Sequence, residues 1–181
     1  MKIGDALFFS PRYRFSQLDF DDTKTLVAAF QDRVEGFYLQ AAARSLKAND
    51  AFAGGLVCCA AIELIAKASG EDHARTWLER NIVDFASDPK LADRFWIYFR
   101  DGLAHEGRVK SVGQSSGQFS LERPDMLTTI GGVLVVNPLK LLEAVEAAFQ
   151  RYCKEMNGDE ATKLAKRLRR YFEAEVKAAK S

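Results

Sequence analysis

The residues best suited to chemistry in this chain are Arg100 and His105, which lie five positions apart in the stretch FRDGLAHEGRV (residues 99–109). Histidine is the side chain best able to take up and release a proton near neutral pH. Arginine stays cationic, and its planar fork of N–H groups matches the oxygens of a phosphate. Together they supply the proton transfer and charge stabilisation needed when a 2′-hydroxyl attacks its own phosphodiester.

The spacing of this pair leaves open how the two side chains meet. Residues five apart on a regular α-helix differ by about 140° around the axis and about 7.5 Å along it, so they do not share a face. Two alternatives would bring the groups together. Gly102 relaxes the helix between them, or each residue meets its counterpart from a second copy of the chain, which predicts a site shared between subunits.

Other kinds of catalytic site have little support in the sequence. The chain has two histidines, His73 and His105, and neither belongs to a pattern typical of a zinc site, so we expect no metal and no cofactor. The G-x-S-x-G pattern at residues 113–117 has no histidine after it and no following helix, so we interpret it as a hairpin loop. His73, in the charged turn EDHAR, is interpreted as a residue of a helix surface.

The composition is that of a soluble globular protein. Of 181 residues, 48% are hydrophobic and 28% charged, and the formal net charge of +1 excludes a strong overall attraction to nucleic acid. Cys58, Cys59 and Cys153 form no CxxC pattern, and we interpret them as reduced core thiols. The N-terminus has no long apolar leader and no stretch approaches 18 uninterrupted apolar residues, so we expect a cytoplasmic protein without membrane association.

Hydrophobic periodicity predicts a mainly α-helical chain forming one domain over residues 1–181. Asp22, Asp50, Asp88-Pro89 and Asn137-Pro138 are typical helix starts, and Gly70 is a typical helix end. Glycine turns and apolar runs predict a small β-hairpin insertion at 109–136. The predicted segments are an N-terminal extended arm at 1–20, helices at 23–46, 51–68, 71–81, 89–105 and 139–156, and a basic C-terminal helix at 159–180.

The stretch RDGLAH, from Arg100 to His105, resembles the R-x4–6-H signature of the HEPN superfamily. Asp101 is the polar residue that commonly follows the arginine, and Ala104 is the small residue that often precedes the histidine. The surroundings agree, with a long first helix, an apolar second helix bearing one acid (LVCCAAIELIAKA), and an aromatic helix leading into the motif. The resemblance covers most of residues 21–156.

This resemblance implies an antiparallel helical bundle that forms a homodimer with its motifs facing each other. It also implies a metal-independent endoribonuclease, of the kind found in toxins and defence systems, with an antitoxin or regulatory protein as a partner. Arg100 would hold the scissile phosphate of RNA, His105 would transfer protons, and Asp101 would orient one of the two. A second interpretation is a non-catalytic module that binds RNA, a nucleotide or a protein. A third places both cations at a helix C-terminus, where they meet the negative end of the dipole.

Further charged residues complete the candidate site. Glu63 lies in an apolar helix and needs a partner, either Arg100 or Lys67 one turn on. Glu106 follows His105 and is a candidate supporting residue. From Arg151 to Ser181 there are nine Lys and Arg against five Asp and Glu, which suits either an RNA contact or a solvated helix face. The candidate RNA-binding residues there are Lys163, Lys166, Arg167, Arg169 and Arg170.

Overall fold

A long apolar helix, α3 (Ala51–Ser69), lies at the centre of the fold and contacts helices from both halves of the chain. The computed structural model describes residues 2–3 and 6–178, which are mainly helical with a small four-stranded sheet, as the sequence predicts. The other helices are α1 (Thr23–Arg33), α2 (Gln40–Lys47), α4 (Ala74–Asn81), α5 (Val83–Ala86), α6 (Pro89–Phe95), α7 (Pro138–Glu155), α8 (Gly158–Tyr171) and α9 (Glu173–Ala178).

Capping contacts confirm the predicted helix starts at Asp22, Asp50 and Asn137, whereas the helix predicted from residue 71 begins at Ala74. The carboxylates of Asp22 and Asp50 accept hydrogen bonds from the backbone N–H groups three residues on, and Asn137 caps α7 in the same manner. Gly70 ends α3 in the left-handed conformation, with a φ of 84°. These local signals are strong because each satisfies backbone groups that a helix terminus leaves unpaired.

The central position of α3 explains its composition. By length and hydropathy alone this helix could cross a membrane, with a mean hydropathy of 1.7, yet 56% of that stretch is buried inside the protein. Cys58 and Cys59 lie in this buried part, and both are free thiols. Burial raises the pKa of Cys59 to about 12, so the thiol is unreactive at neutral pH. The core therefore accounts for this apolar run.

Two long helices are interrupted by π-helical segments. The first π segment (Val34–Leu39) joins α1 to α2, and the second π segment (Trp96–Glu106) continues α6. In each, a backbone N–H at the C-terminal end bonds to the carbonyl five residues earlier, from Gln40 to Glu35 and from Gly107 to Gly102. The prediction of helix over these residues is confirmed, but hydrophobic periodicity does not distinguish the wider helical form from a regular α-helix.

The insertion after the second π segment is a sheet of four short strands in the order β3-β4-β6-β5. Both glycine hairpins are present, at Gly113-Gln114 and at Gly131-Gly132. The loop predicted over residues 113–117 is wrong in its length, because Ser115 to Gly117 pair within strand β4 and only Gly113-Gln114 form the turn. The pairing of β4 with β6 is parallel, which a chain of hairpins does not predict. The strands are β3 (Ser111–Val112), β4 (Ser115–Phe119), β5 (Leu127–Ile130) and β6 (Val133–Val136).

The two ends of the chain pack together through aromatic side chains. The predicted extended arm instead contains a small hairpin, β1 (Lys2–Ile3) with β2 (Ala6–Leu7), and a 3₁₀ turn at Phe15–Gln17. Phe9 contacts Phe172 with ring centroids 5.3 Å apart. The prediction of one helix over 159–180 is wrong, because the buried Phe172 separates α8 from α9. Residues 1, 4, 5 and 179–181 lie outside the described part of the chain.

Candidate functional site

The side chains of Arg100 and His105 meet within one chain. Arg100 Nη1 lies 2.9 Å from His105 Nε2. Both residues belong to the second π segment, where positions five apart stack one turn above the other because the backbone hydrogen bonds span five residues. The expectation that the pair cannot share a face therefore does not apply, and the spacing no longer requires a second chain to bring the two groups together.

Carboxylates from two helices hold the guanidinium of Arg100 in place. Its Nη2 donates to Glu63 Oε2 on α3 at 2.9 Å, and its Nη1 donates to Asp101 Oδ1 at 3.0 Å. The guanidinium carbon also lies 5.7 Å from the ring centroid of Trp96, one helical turn before it. The side chain is 24% exposed, so it is positioned by the protein and still reaches solvent.

Glu63 makes both of the contacts that the sequence left as alternatives. Its second oxygen, Oε1, accepts from Lys67 Nζ at 3.2 Å while Oε2 binds Arg100. Partial burial would raise the pKa of Glu63, but the two cations outweigh burial and hold its pKa below the ordinary value. Burial likewise opposes the charge of Arg100, and the bonds to Glu63 and Asp101 outweigh it, so the pKa of Arg100 is raised. Both Glu63 and Arg100 are therefore stabilised in their charged forms.

His105 is exposed and lies in the last turn of the second π segment. Because a guanidinium can only donate, Nε2 is the acceptor in the contact with Arg100, which places the imidazole proton on Nδ1. Within the described part of the chain, His105 makes no other side-chain hydrogen bond. The exposed imidazole is thus within reach of a ligand bound beside Arg100.

The helix-terminus interpretation does not account for Arg100. Its side-chain hydrogen bonds go to Glu63, Asp101 and His105, and none goes to a backbone carbonyl at the end of the helix. The segment instead ends at Gly107, which is left-handed with a φ of 65°. His105 does lie near this terminus, but Arg100 belongs to a side-chain cluster.

Gly102 allows the chain to fold back along the second π segment. A Cβ at this position would lie 2.5 Å from the carbonyl oxygen of Arg108 and 2.7 Å from the backbone nitrogen of Lys110. The returning strand, which comprises residues 108–110 and β3, is held by hydrogen bonds from Arg108 N–H to Gly102 O and from Lys110 N–H to Tyr98 O. A glycine is therefore needed between the two site residues, because the backbone of residues 108–110 packs directly against it. This returning strand lies against the turn that carries His105.

Glu106 follows His105 in the sequence but does not bind Arg100 or His105. Its carboxylate pairs with Lys110 at 2.8 Å and with Arg108 at 2.9 Å. The hydrogen bond from Lys110 is the main reason that the pKa of Glu106 is lowered. Glu106 thus ties the returning strand to the end of the helix, which is a positioning role.

The five basic candidates on α8 differ in what they bind. Arg167 donates to the carbonyl of Ala68 at the C-terminal end of α3, which makes it part of the packing. Lys163 pairs with Glu160, and Arg169 pairs with Asp21. Among the described residues, Lys166 and Arg170 have no ion pair or side-chain hydrogen bond, and both are exposed. Only these two are unengaged cations on the helix.

The groups on the far side of Glu63 were not predicted from the sequence. A partly open cavity of about 140 Å³ adjoins the cluster, with Glu63 and Trp96 in its wall. His73, interpreted from the sequence as a surface residue, is exposed and also lines this cavity. Trp96 and Arg100 are four residues apart, a spacing at which helical side chains contact each other, so their contact could have been predicted. No sequence pattern relates His73 to Glu63.

The arrangement combines a proton acceptor with a fixed cation at one surface. In the described part of the chain, no group of three or more His, Cys, Asp and Glu side chains is placed to hold a metal ion. A guanidinium and an imidazole 2.9 Å apart can act on an anionic ester by charge stabilisation and proton transfer. A scan against protein-family models finds no match, and searches of curated proteins and of solved structures find none either.

Proposed function

We propose that this protein is a metal-independent endoribonuclease of the HEPN type, with Arg100 and His105 as its catalytic residues. The observation that carries the proposal is the 2.9 Å contact between Arg100 Nη1 and His105 Nε2 on one exposed face. Two carboxylates orient the guanidinium, which is the preorganisation that charge stabilisation requires.

The proposed reaction breaks one P–O bond and forms another. His105 Nε2 takes the proton of the ribose 2′-hydroxyl, and the 2′-oxygen attacks the adjacent phosphorus. Arg100 turns one N–H from His105 to the phosphate and stabilises the charge on the phosphorane-like transition state. The bond to the 5′-oxygen breaks, the proton passes from His105 to that oxygen, and the products are a 2′,3′-cyclic phosphate and a 5′-hydroxyl. Glu63 and Asp101 orient the guanidinium throughout.

The wider proposal follows the same resemblance. The helices around α3 form a HEPN-like antiparallel bundle, and two copies associate in the cytoplasm with their motifs facing each other. Lys166 and Arg170 are exposed cations without a partner in the described structure, which supports a contact with the RNA backbone. The activity belongs to a toxin or a defence system controlled by an antitoxin or regulatory protein.

The test is cleavage of mixed cellular RNA by the purified protein in excess chelator. Wild-type protein should cut RNA and leave cyclic phosphate ends, while Arg100→Ala and His105→Ala should lose at least about 100-fold in rate. Arg44→Ala is the matched control, since Arg44 is an exposed helical arginine without a side-chain partner in the described structure. Equal cutting by the wild type and both site variants would overturn the proposal.

A second candidate function is a non-catalytic module that binds RNA. It is favoured by the hydrogen bonds that already occupy both terminal nitrogens of Arg100 and by the free cations Lys166 and Arg170. Binding of this kind should weaken steeply with added salt. The Lys166→Glu/Arg170→Glu double variant should bind RNA at least about tenfold more weakly, measured by fluorescence polarisation. Salt-dependent binding without any cleavage would favour this second function over the first.

A further inference from the structure

The cavity next to Arg100 carries an inference about which RNA the site accepts. The cavity lies where the C-terminal part of α3, the loop before α4 and the start of the second π segment meet. Two of its wall residues hold Arg100, since Glu63 binds Nη2 at 2.9 Å and Trp96 lies under the guanidinium. The cavity therefore lies beside the place where Arg100 would hold the RNA phosphate.

The charges of the wall favour a ligand that donates hydrogen bonds. Three carboxylates, of Glu63, Glu71 and Asp72, face two permanent cations, of Lys67 and Arg75. Glu63 pairs with Lys67, Glu71 pairs with Arg80, and Arg75 pairs with Asp93. A phosphate would meet more carboxylates than cations here, so the cavity is poorly suited to a second phosphate.

Asp72 is the acidic wall residue left without a partner. Among the described residues it makes no ion pair or side-chain hydrogen bond, and neither does its neighbour His73. Both side chains are exposed, so a ligand can reach them. A free carboxylate has two acceptor oxygens and no donor. It fits a group that presents two parallel N–H bonds, and it repels a group that presents oxygen acceptors.

We infer that this cavity is a nucleobase subsite that prefers guanine, with Asp72 as the residue that selects the base. Guanine presents N1–H and an N2 amino group side by side, which match the two carboxylate oxygens of Asp72. Cytosine and adenine each offer an amino group with one useful donor, and uracil offers mainly carbonyl acceptors. The aromatic wall at Trp96 adds a surface of the type against which unstacked RNA bases pack. This inference rests on the proposed function and adds the identity of the bound nucleotide.

The subsite is tested by binding, independently of cleavage. The probes are 2′-O-methyl pentanucleotides UUGUU, UUCUU, UUAUU and UUUUU, which have no free 2′-hydroxyl to react, with affinity measured by fluorescence polarisation. Wild-type protein should bind UUGUU about fivefold to tenfold more tightly than UUUUU. Asp72→Ala should remove this preference. Asp72→Asn should shift it toward uracil, because an amide N–H can donate to a uracil carbonyl. Asp125→Asn, at an exposed acid in the loop after β4, is the matched control.

A second measurement separates this inference from the proposed function. Sequencing of cleavage ends on random RNA should place guanine beside the broken bond for wild type and for Asp125→Asn, but not for Asp72→Ala. Cutting without a base preference, equal binding of all four pentamers or no binding of any of them would overturn the subsite. A guanine preference that persists in Asp72→Ala would overturn it also. An Asp72-dependent preference in a protein that cuts no RNA would retain the subsite and reject the nuclease.

Discussion

The two π segments use the same backbone form for different purposes. The first π segment receives the N-terminal part of the chain, where the ring of Pro11 packs against Gly36. It carries Val34 and Leu39, five positions apart and both buried. The second π segment has Arg100 and His105 at the same spacing, and both reach solvent. A wide helical turn therefore stacks whatever residues lie five apart, and only their chemistry decides whether the result is packing or a site.

An arginine beside each segment makes the contrast concrete. Arg33 lies among aromatic rings, 4.6 Å from the centroid of Phe172 and 5.3 Å from that of Phe9, and it donates to the carbonyl of Phe9. Arg100 instead lies among carboxylates with an imidazole beside it. The first arginine is enclosed by its own chain, and the second is arranged so that an outside anion can replace one of its partners.

The largest expected difference between the two regions is in RNA cleavage. Arg100→Lys and His105→Gln should each lower the rate by about 100-fold or more, because lysine lacks the planar fork and glutamine cannot transfer protons. Arg33→Lys should cut at the wild-type rate per folded molecule. Initial rates on a labelled RNA check this, with circular dichroism reporting the folded fraction. Similar rate losses at positions 33 and 100 would remove the functional distinction between the two segments.

Substitution of Arg33 should have a larger effect than substitution of Arg100 when the free energy of unfolding is measured instead of the cleavage rate. Arg33→Ala removes contacts with three aromatic rings and a backbone hydrogen bond, and we expect it to lower the free energy of unfolding by about 3 kcal/mol. Arg100→Ala breaks partly exposed ion pairs and should lower it by about 1 kcal/mol. Urea unfolding of both variants provides the comparison. A larger loss at position 100 would mean that the ion cluster is primarily a structural element.

The glycines of the two segments should tolerate a methyl group unequally. In Gly102→Ala the new Cβ meets the backbone of Arg108 and Lys110, which cannot move without breaking hydrogen bonds, so we expect a loss of about 2–3 kcal/mol and slower cleavage. In Gly36→Ala the new Cβ meets side-chain ring atoms of Pro11 and no backbone, and the ring can change its pucker, so the loss should be about 1 kcal/mol. Urea unfolding and RNA cleavage should be measured on both variants. Equal losses of stability would show that the returning strand is more adaptable than its contacts indicate.

The smallest expected effect concerns the acid that positions Arg100. The pKa of Glu63 is lowered by its cationic partners, so its carboxylate stabilises the folded state above the ordinary value of 4.5, and this contribution is lost as pH falls through the lowered pKa. Wild type should therefore exceed Glu63→Gln by about 1 kcal/mol in the free energy of unfolding at neutral pH. The difference in the free energy of unfolding between the two proteins should disappear at acidic pH, which urea unfolding over a pH series would measure. A difference that grows on acidification would contradict the proposed charge state.

The parts of the fold that follow from local chemistry could be predicted from the sequence. Helix starts at Asp22, Asp50 and Asn137 and the end at Gly70 depend on a side chain or a φ angle within a few residues. The glycine hairpins belong to the same class, because their turn residues alone provide the positive φ. The interruption at Phe172 was missed, since its cause is a long-range contact with aromatic rings at the other end of the chain.

The candidate site likewise has features that the sequence predicts and features that depend on long-range contacts. The residue types and the spacing of Arg100 and His105 were enough to select them as candidates. Their contact depends on the π geometry of the helix, and the returning strand that packs on Gly102 accompanies that geometry. The basic residues of α8 show the opposite case, because they are similar in sequence but Arg167 is committed to the end of α3. No local pattern separates it from Arg170.

The sequence by itself determined where the helices begin and end, which helix is the most apolar, and which guanidinium and imidazole could act together. Tertiary structure decided that Glu63 from α3 reaches Arg100, that the helix bearing the pair widens so the two groups touch, and that His73 and Asp72 border the same cluster. The physical reason is the distance along the chain between the residues that contact each other. Caps and turns are fixed by hydrogen bonds between near neighbours, whereas a site is assembled by packing between elements far apart in the chain.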